Sequence, residues 1–379
     1  MKWTNKGHEF DDLGKRLITL KSIYLFGAGV HGKTIYEKYR NKIDIKGFID
    51  NDAIKQDNGF CGLPVFSPNG INLLENEVIV ISAQPSSINN ITGQLNSLGY
   101  TDNVFPIQLF FPIFDSYKYG EVCLSSISFL PTTVCNLNCK HCLNFTPYIK
   151  NHQIRPIEQL KQDLDLLFSK IDTLLLLHIS GGEPLTYSHL YELVDHIVRS
   201  YKEKLGRLEM TTNGTIIPSD IMLKLFKDAN LFLTVDDYRD ALPQYRDKQM
   251  ELINKLNSHS VNYQILKADS WIDLAPPDMD ITGLSAEQLV EYFNACAVPW
   301  QEYRNGKLWL CNYAAYADIA GKYATLQNEY FDIAKLNKKN HRELIEFRRG
   351  YSDKGYTEFC RQCAGYSNNT RIVPVAKQL

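Results

Sequence analysis

Seven of the nine cysteines fall into two spaced groups, and the first group is the tighter. Cys135-Asn-Leu-Asn-Cys139-Lys-His-Cys142 places three thiols on one short loop. Three thiolates so arranged can ligate three irons of a 4Fe-4S cube and leave the fourth iron without a protein ligand. An open iron is a place where a small molecule can bind and receive an electron. A zinc loop is the competing reading. Zinc usually takes four N or S ligands, and the spare donor, His141, sits awkwardly between two of the cysteines.

The elements around this loop must hold it still. An apolar run over 123–130 reads as a strand that stops at Pro131, just before the loop. A helix follows over 156–169, with Ile157, Leu160, Leu164 and Leu167 on one face. Strands are expected over 174–179, 207–211, 231–235 and 261–266, and helices over 187–204, 219–229 and 245–258. This alternation predicts a parallel, partial (β/α)6 barrel, short of the eight units of a closed one. Such a barrel does its chemistry at the C-terminal ends of its strands, which is where the cysteine loop stands.

Two further segments come after their own strands, in order: Ser180-Gly181-Gly182-Glu183-Pro184 and Thr211-Thr212-Asn213-Gly214. Read from the residues, the paired glycines allow close approach of a ligand to backbone, and Glu183 adds an acceptor. An ordinary strand-to-helix turn is the other reading. The combination of the three segments resembles the radical S-adenosylmethionine (SAM) superfamily. The resemblance implies that Cys135, Cys139 and Cys142 hold a 4Fe-4S cluster. SAM chelates its open iron, takes one electron and yields a 5′-deoxyadenosyl radical that abstracts hydrogen. It also implies that His141 packs near the adenine, that Ser180–Pro184 meets the SAM amino group, and that Thr212 and Asn213 lie near its carboxylate and ribose. Flavodoxin or ferredoxin is the implied electron donor. Asp236 and Asp237, after the fourth strand, stand where they could meet ribose or substrate; as lone acids they also fit capping or solvation.

The second group is Cys296, Cys311, Cys360 and Cys363. A tight hairpin around Asn305-Gly306 would bring Cys296 and Cys311 together. A four-cysteine zinc site fits the spacing. The group also resembles the twitch subdomain, the short form of the SPASM extension of radical SAM enzymes. That resemblance implies one auxiliary 4Fe-4S cluster with four thiolate ligands. A saturated cluster suits electron transfer, so the expected net reaction is a two-electron oxidation. An epimerase that returns hydrogen from a cysteine is disfavoured, because no cysteine lies between 143 and 295. Turning an alcohol into a ketone needs a general base. The candidates are Asp236, Asp237, Tyr148 and His152. His178 reads as a packed core histidine.

Near the start, Gly27-Ala-Gly29-Val-His-Gly32 ends a strand and opens a helix, with Asp50 at the end of the next strand. This is the dinucleotide fingerprint, which sets a pyrophosphate over a helix N-terminus. The region resembles Rossmann-like modules attached to sugar acyltransferases and methyltransferases of bacterial surface-glycan pathways. Nucleotide or nucleotide-sugar binding, NAD binding and a scaffold role all remain open for it.

The expected architecture is therefore α/β throughout. A Rossmann-like parallel-sheet domain covers 1–110, a linker 111–121, the radical SAM partial barrel 122–285, and a small cysteine-rich iron–sulfur domain 286–379. The aromatic stretch 105–119, with Pro106 and Pro112, supplies the linker. The chain has 379 residues, 44% hydrophobic, and a net charge of −2. It carries no long basic run, so nucleic acid and anionic membrane surfaces are not expected partners. No apolar run approaches the ~20 residues of a membrane span, and the polar first residues are no secretory signal. A cytoplasmic location follows, where cysteines stay reduced and serve metals or catalysis. The leading functional expectation is a radical SAM oxidoreductase acting on a carbohydrate-like small molecule, free or nucleotide-linked. The alternatives are a peptide maturase, a sugar epimerase, and a zinc-bound nucleotide-sensing protein. The α/β character of the N-terminal region counts against the peptide maturase, since those enzymes usually carry a winged-helix domain there.

Overall fold

A computed structural model describes residues 1–275, 283–296, 301–366 and 370–379, except for the side chains of Pro85 and Ser86. The chain forms two compact units, one of residues 10–125 with 172–175, the other of residues 1–9, 126–171 and 176–379.

In the first unit five parallel strands lie in the order Val65–Phe66, Asp44–Ile49, Ser22–Phe26, Glu77–Ile81, Val104–Pro106. Ser22–Phe26 and Glu77–Ile81 are buried at every position, as strands covered on both faces must be. The expected linker is not one. Ile107–Tyr119 is a helix that ends at Gly120 in the left-handed region, φ 66°. Pro106 stands just before its first residue, and Pro112 lies inside it. An interior proline costs about 3 kcal/mol. Phe110, Phe111 and Phe114 are wholly buried on this helix, and each such side chain stabilises by about 1.5–3 kcal/mol. Packing therefore outweighs the break that the two prolines suggest.

In the second unit the strands run Asn262–Leu266, Phe232–Asp236, Leu205–Thr212, Thr173–Ile179 (of which 176–179 belong here), Ile127–Phe129, Glu302–Arg304, Lys307–Trp309 and Tyr330–Asp332. The expected strand 123–130 is split into Cys123–Leu124 and Ile127–Phe129. Phe232–Asp236 is parallel to both its neighbours, as is Ile127–Phe129 to Thr173–Ile179 and to Glu302–Arg304, which pairs Glu302 with Ser128 and Tyr303 with Phe129. The sixth parallel strand thus joins beside the first strand, not after the fifth. It then turns back on Lys307–Trp309 through Asn305 and Gly306, both at positive φ (52° and 71°), as the Asn-Gly pair predicts. This pairing draws residues 286–379 into the same unit as the barrel strands.

The helix Ile157–Lys170 holds the hairpin from behind. Arg155 and Asp163 form a buried ion pair. Asp163 Oδ2 also accepts from the Asn305 backbone N–H at 2.7 Å, and Tyr303 donates to the Asp163 carbonyl at 2.7 Å. Among the described residues no helix is long and apolar enough to cross a membrane.

Candidate active site

One cavity of about 490 Å³ in the second unit gathers most of the expected chemistry. Cys135, Cys139 and Cys142 line it together. Burial pushes the Cys135 thiol up to about 12 and the Cys139 thiol up to about 11. A bare thiol so placed is inert; a coordinated thiol loses its proton outright. Donors already point at these sulfurs: Leu137 N–H to Cys135 Sγ at 3.4 Å, Asn213 Nδ2 to the same sulfur at 3.8 Å, and Gln378 Nε2 to Cys139 Sγ at 3.1 Å. Three clustered thiols with N–H groups aimed at sulfur fit an iron–sulfur cluster. His141 does not complete the set. Its Nδ1 lies 3.4 Å from Asp273 Oδ2, and it is not among the cavity's lining residues.

The glycine segment lines the cavity through Ser180, Gly181, Gly182, Glu183 and Pro184. Its glycines allow close packing of backbone on backbone. A Cβ on Gly182 would sit 2.2 Å from the Val134 carbonyl oxygen, because Gly182 and Glu183 donate to Thr132 and Val134 at 3.0 and 2.8 Å. Glu183 does not offer a free acceptor. Its carboxylate takes Thr212 Oγ1 at 2.8 Å, Asn213 N at 2.7 Å and Leu185 N at 3.1 Å, and so clamps one loop to the next. Burial pushes Glu183 up to about 7, against the pull of these donors. Thr212 spends its hydroxyl on that clamp and does not line the cavity; Thr211 and Asn213 do.

The expected bases separate. Asp236 lines the cavity, accepts from Tyr238 Oη at 2.9 Å and is pushed up to about 6 by burial. Asp237 is turned away and held by Arg239, Nε to Oδ1 at 2.9 Å and Nη2 to Oδ2 at 2.8 Å. Tyr148 donates to the Lys140 carbonyl at 2.7 Å, half-exposed and outside the lining. His152 is also outside it, with Nδ1 2.9 Å from the Thr133 carbonyl. His178 lines the cavity. Its Nε2 meets Thr211 Oγ1 at 2.9 Å, and burial, helped by Arg207, lowers it to about 4, which keeps the ring neutral.

The sequence reading missed the far wall. Asn312, Tyr313 and Tyr316 come from the helix Asn312–Ile319, which starts directly after Cys311. Tyr366 stacks on Tyr313 with centroids 6.1 Å apart, and Trp271 meets Tyr238 edge-on at 5.8 Å. Proximity to Cys311 was the available signal for the helix residues; nothing local marked Gln378. Among the described residues no Lys or Arg lines the cavity. The second cysteine group lies behind this wall. Burial, with the other cysteines adding to it, pushes Cys360 up to about 11 and Cys363 up to about 12, and Cys311 is also raised. Backbone N–H groups reach Cys296 Sγ from Tyr366 at 3.2 Å and Cys363 Sγ from Gly365 at 3.4 Å. Among the described residues no three His, Cys, Asp or Glu side chains are set to hold a single metal ion.

The glycine-rich loop belongs to the other unit. Gly27 follows its strand, Gly29 caps the helix Val30–Tyr39, and Gly32 lies in its first turn. Asp50, the acid of the expected dinucleotide fingerprint, accepts from Ala28 N at 2.9 Å and meets Lys55 Nζ at 3.0 Å. It braces its own loop.

Residues 19–104 match the C2185-like N-terminal family model. A curated relative, protein YfkA of Bacillus subtilis (strain 168), is 31% identical over 104 residues, 27% of this chain and 27% of its own length. The chain thus spans about a quarter of that relative. Similar solved structures include anSMEcpe with bound AdoMet and the Kp18Cys peptide (13% identity, 67% of this chain, 92% of that one, TM-score 0.43). Streptococcus suis SuiB bound to S-adenosylmethionine matches at 17% identity, 47% of this chain and 38% of that one, TM-score 0.31. BtrN in complex with AdoMet and 2-DOIA matches at 16% identity, 67% and 96% coverage, TM-score 0.39. Residues 129–263, which carry the cysteine loop and the two loops beside it, match the radical SAM superfamily model, and this supports a radical SAM enzyme.

Proposed function

We propose that the protein is a radical SAM oxidoreductase that removes hydrogen from an uncharged, carbohydrate-like substrate. One observation carries the reading: a single cavity is lined both by Cys135, Cys139 and Cys142 and by Asn312, the neighbour of Cys311 in the second cysteine group. A 4Fe-4S cluster on the first group, with SAM on its open iron, would supply a hydrogen-abstracting radical. Cys296, Cys311, Cys360 and Cys363 would hold a second cluster, whose chemistry there is to take up an electron. Within the cavity, Gly181, Gly182 and Asn213 are the groups offered to SAM, and Asp236 an acid offered to its ribose or to substrate. Among the described residues no Lys or Arg lines the cavity, which disfavours a phosphate inside. The segments outside the description, 276–282, 297–300 and 367–369, contain no Lys or Arg either. A nucleotide-linked sugar would have to keep its pyrophosphate outside this cavity.

The test is anaerobic purification with iron, sulfide and zinc analysis. It is followed by turnover with SAM, a reductant and a panel of free hexoses, UDP-hexoses and short peptides. Iron and sulfide, with 5′-deoxyadenosine and a two-electron-oxidised hexose, are expected. Zinc without iron sinks the enzyme reading. 5′-Deoxyadenosine with a modified peptide and no oxidised sugar would move the assignment to a peptide maturase.

A further inference from the structure

Behind the cavity wall lies a buried proton-bonding group that the expected bases do not include. Tyr316 lines the cavity from the helix Asn312–Ile319. Its hydroxyl donates to Glu302 Oε2 at 3.1 Å and lies 3.0 Å from Ser128 Oγ and 3.4 Å from Ser180 Oγ. Both serines line the cavity as well. Glu302 is 0% exposed; Ser128 as well as Tyr316 bonds its carboxyl, and its second oxygen, Oε1, has no hydrogen-bond partner among the described residues. A buried carboxylate with an orphan oxygen is costly to keep and calls for an explanation.

The charges facing Glu302 are Arg304 on its own strand and Arg155 from the segment before the helix Ile157–Lys170. Arg304 in turn lies 4.0 Å from Asp318, and Arg155 is paired with Asp163. Burial pushes Glu302 up to about 7, while the two guanidiniums and the Tyr316 hydroxyl hold it from rising further. The Tyr316 phenol is itself raised by burial first and by Glu302 next, so it stays protonated at rest. A phenol at the wall with a carboxyl behind it, able to hold or release a proton near neutrality, is suited to general base work.

We infer that Tyr316 and Glu302 form the proton relay for the substrate in this cavity. The inference rests on the oxidoreductase reading above. Once the neighbouring C–H hydrogen is gone, the substrate O–H gives its proton to Tyr316 Oη, as the hydroxyl proton of Tyr316 passes to Glu302 Oε2. The substrate O–H and the original tyrosine O–H break; a new tyrosine O–H and a carboxylic acid O–H form. The negative charge moves from Glu302 to the substrate oxygen. No electron moves in this step, and no co-reactant is consumed. Tyr316 is the catalytic residue, and Glu302 acts through it.

The test uses reconstituted holoenzyme with Tyr316→Phe, Glu302→Gln and Glu302→Asp, each checked for wild-type iron content and circular dichroism. A variant that loses its iron or its fold is replaced in the comparison by Glu302→Asp, which keeps an acid. With carbon-deuterated hexose, Tyr316→Phe and Glu302→Gln should still pass deuterium to 5′-deoxyadenosine. Oxidised product per 5′-deoxyadenosine should fall by about 10²-fold, the usual scale of a lost acid–base group, with Glu302→Asp between them and wild type. The wild-type pH profile should show a limb near 7 that Glu302→Gln lacks. Unchanged coupling in both variants overturns the relay. A second readout needs no substrate: the carboxyl infrared band of Glu302, assigned by its loss in Glu302→Gln. It should titrate near 7 and move in Tyr316→Phe. If wild type oxidises no hexose, the oxidoreductase reading falls, and the band alone decides whether the two groups share a proton. A band that neither titrates nor moves overturns the relay.

Discussion

At the scale of residues, two cysteines of the three-cysteine loop share one problem. Burial raises Cys135 and Cys139 far above ordinary thiols, and only a ligated metal holds them as thiolates. Replacing Cys135, Cys139 or Cys142 by Ala should therefore abolish 5′-deoxyadenosine formation, with iron per chain falling to about half if the second group holds its own cluster. Colorimetric iron analysis and chromatography of the nucleoside read both effects. Gln378 aims its amide N–H at Cys139 Sγ, and such donors stabilise the more negative, reduced cluster. Gln378→Leu should leave the iron content unchanged and shift the cluster's potential downward in an EPR-monitored titration. Nothing in the sequence marks Gln378, because the contact joins residues 239 positions apart.

At the scale of elements, two close approaches hold the site's loops. Gly182 has no room for a Cβ against the Val134 carbonyl. Gly182→Ala should destabilise by about 1–3 kcal/mol, as overpacked sites do, seen as a lower urea midpoint. The second approach is the buried Arg155–Asp163 pair, which also binds the turn at Asn305. Asp163→Ala takes the paired carboxylate from a buried guanidinium and should cost about 3–5 kcal/mol. Denaturant unfolding of the variant reads this directly. The Asn305-Gly306 turn was legible beforehand, since its left-handed backbone is a local demand that local residue types meet. The helix Ile107–Tyr119 was not. Its prolines argue against helix locally, and only the burial of its phenylalanines, a tertiary matter, overrides them.

At the scale of the whole molecule, pH should act on stability through buried acids. In the first unit burial pushes Asp115 up to about 6 from an ordinary 3.8, despite Lys42 at 3.8 Å and the Tyr39 hydroxyl at 2.6 Å. A raised carboxyl favours the protonated fold. Its contribution is complete below about pH 3.8 and is lost as pH rises through about 6. Asp115→Asn should remove this slope, so that the variant gains on wild type as pH climbs from 4 to 7. Thermal unfolding of both proteins across that range checks it; parallel curves would refute it.

Several features of this protein needed only its sequence. Cysteine spacing within one loop, and the order of the loops after their strands, are local properties, and the cavity collects them where that order predicts. Side-chain direction is not local. Glu183 and Asp237 read as available acids, yet one is spent on Thr212 and Asn213 and the other on Arg239. Glu302 has no motif at all; it reaches Tyr316 because its strand pairs with Ile127–Phe129, far away in sequence. Spacing can pick out candidate thiols because they sit side by side in the chain. Which polar groups face the substrate was decided by strand pairing and burial, which only the folded chain contains.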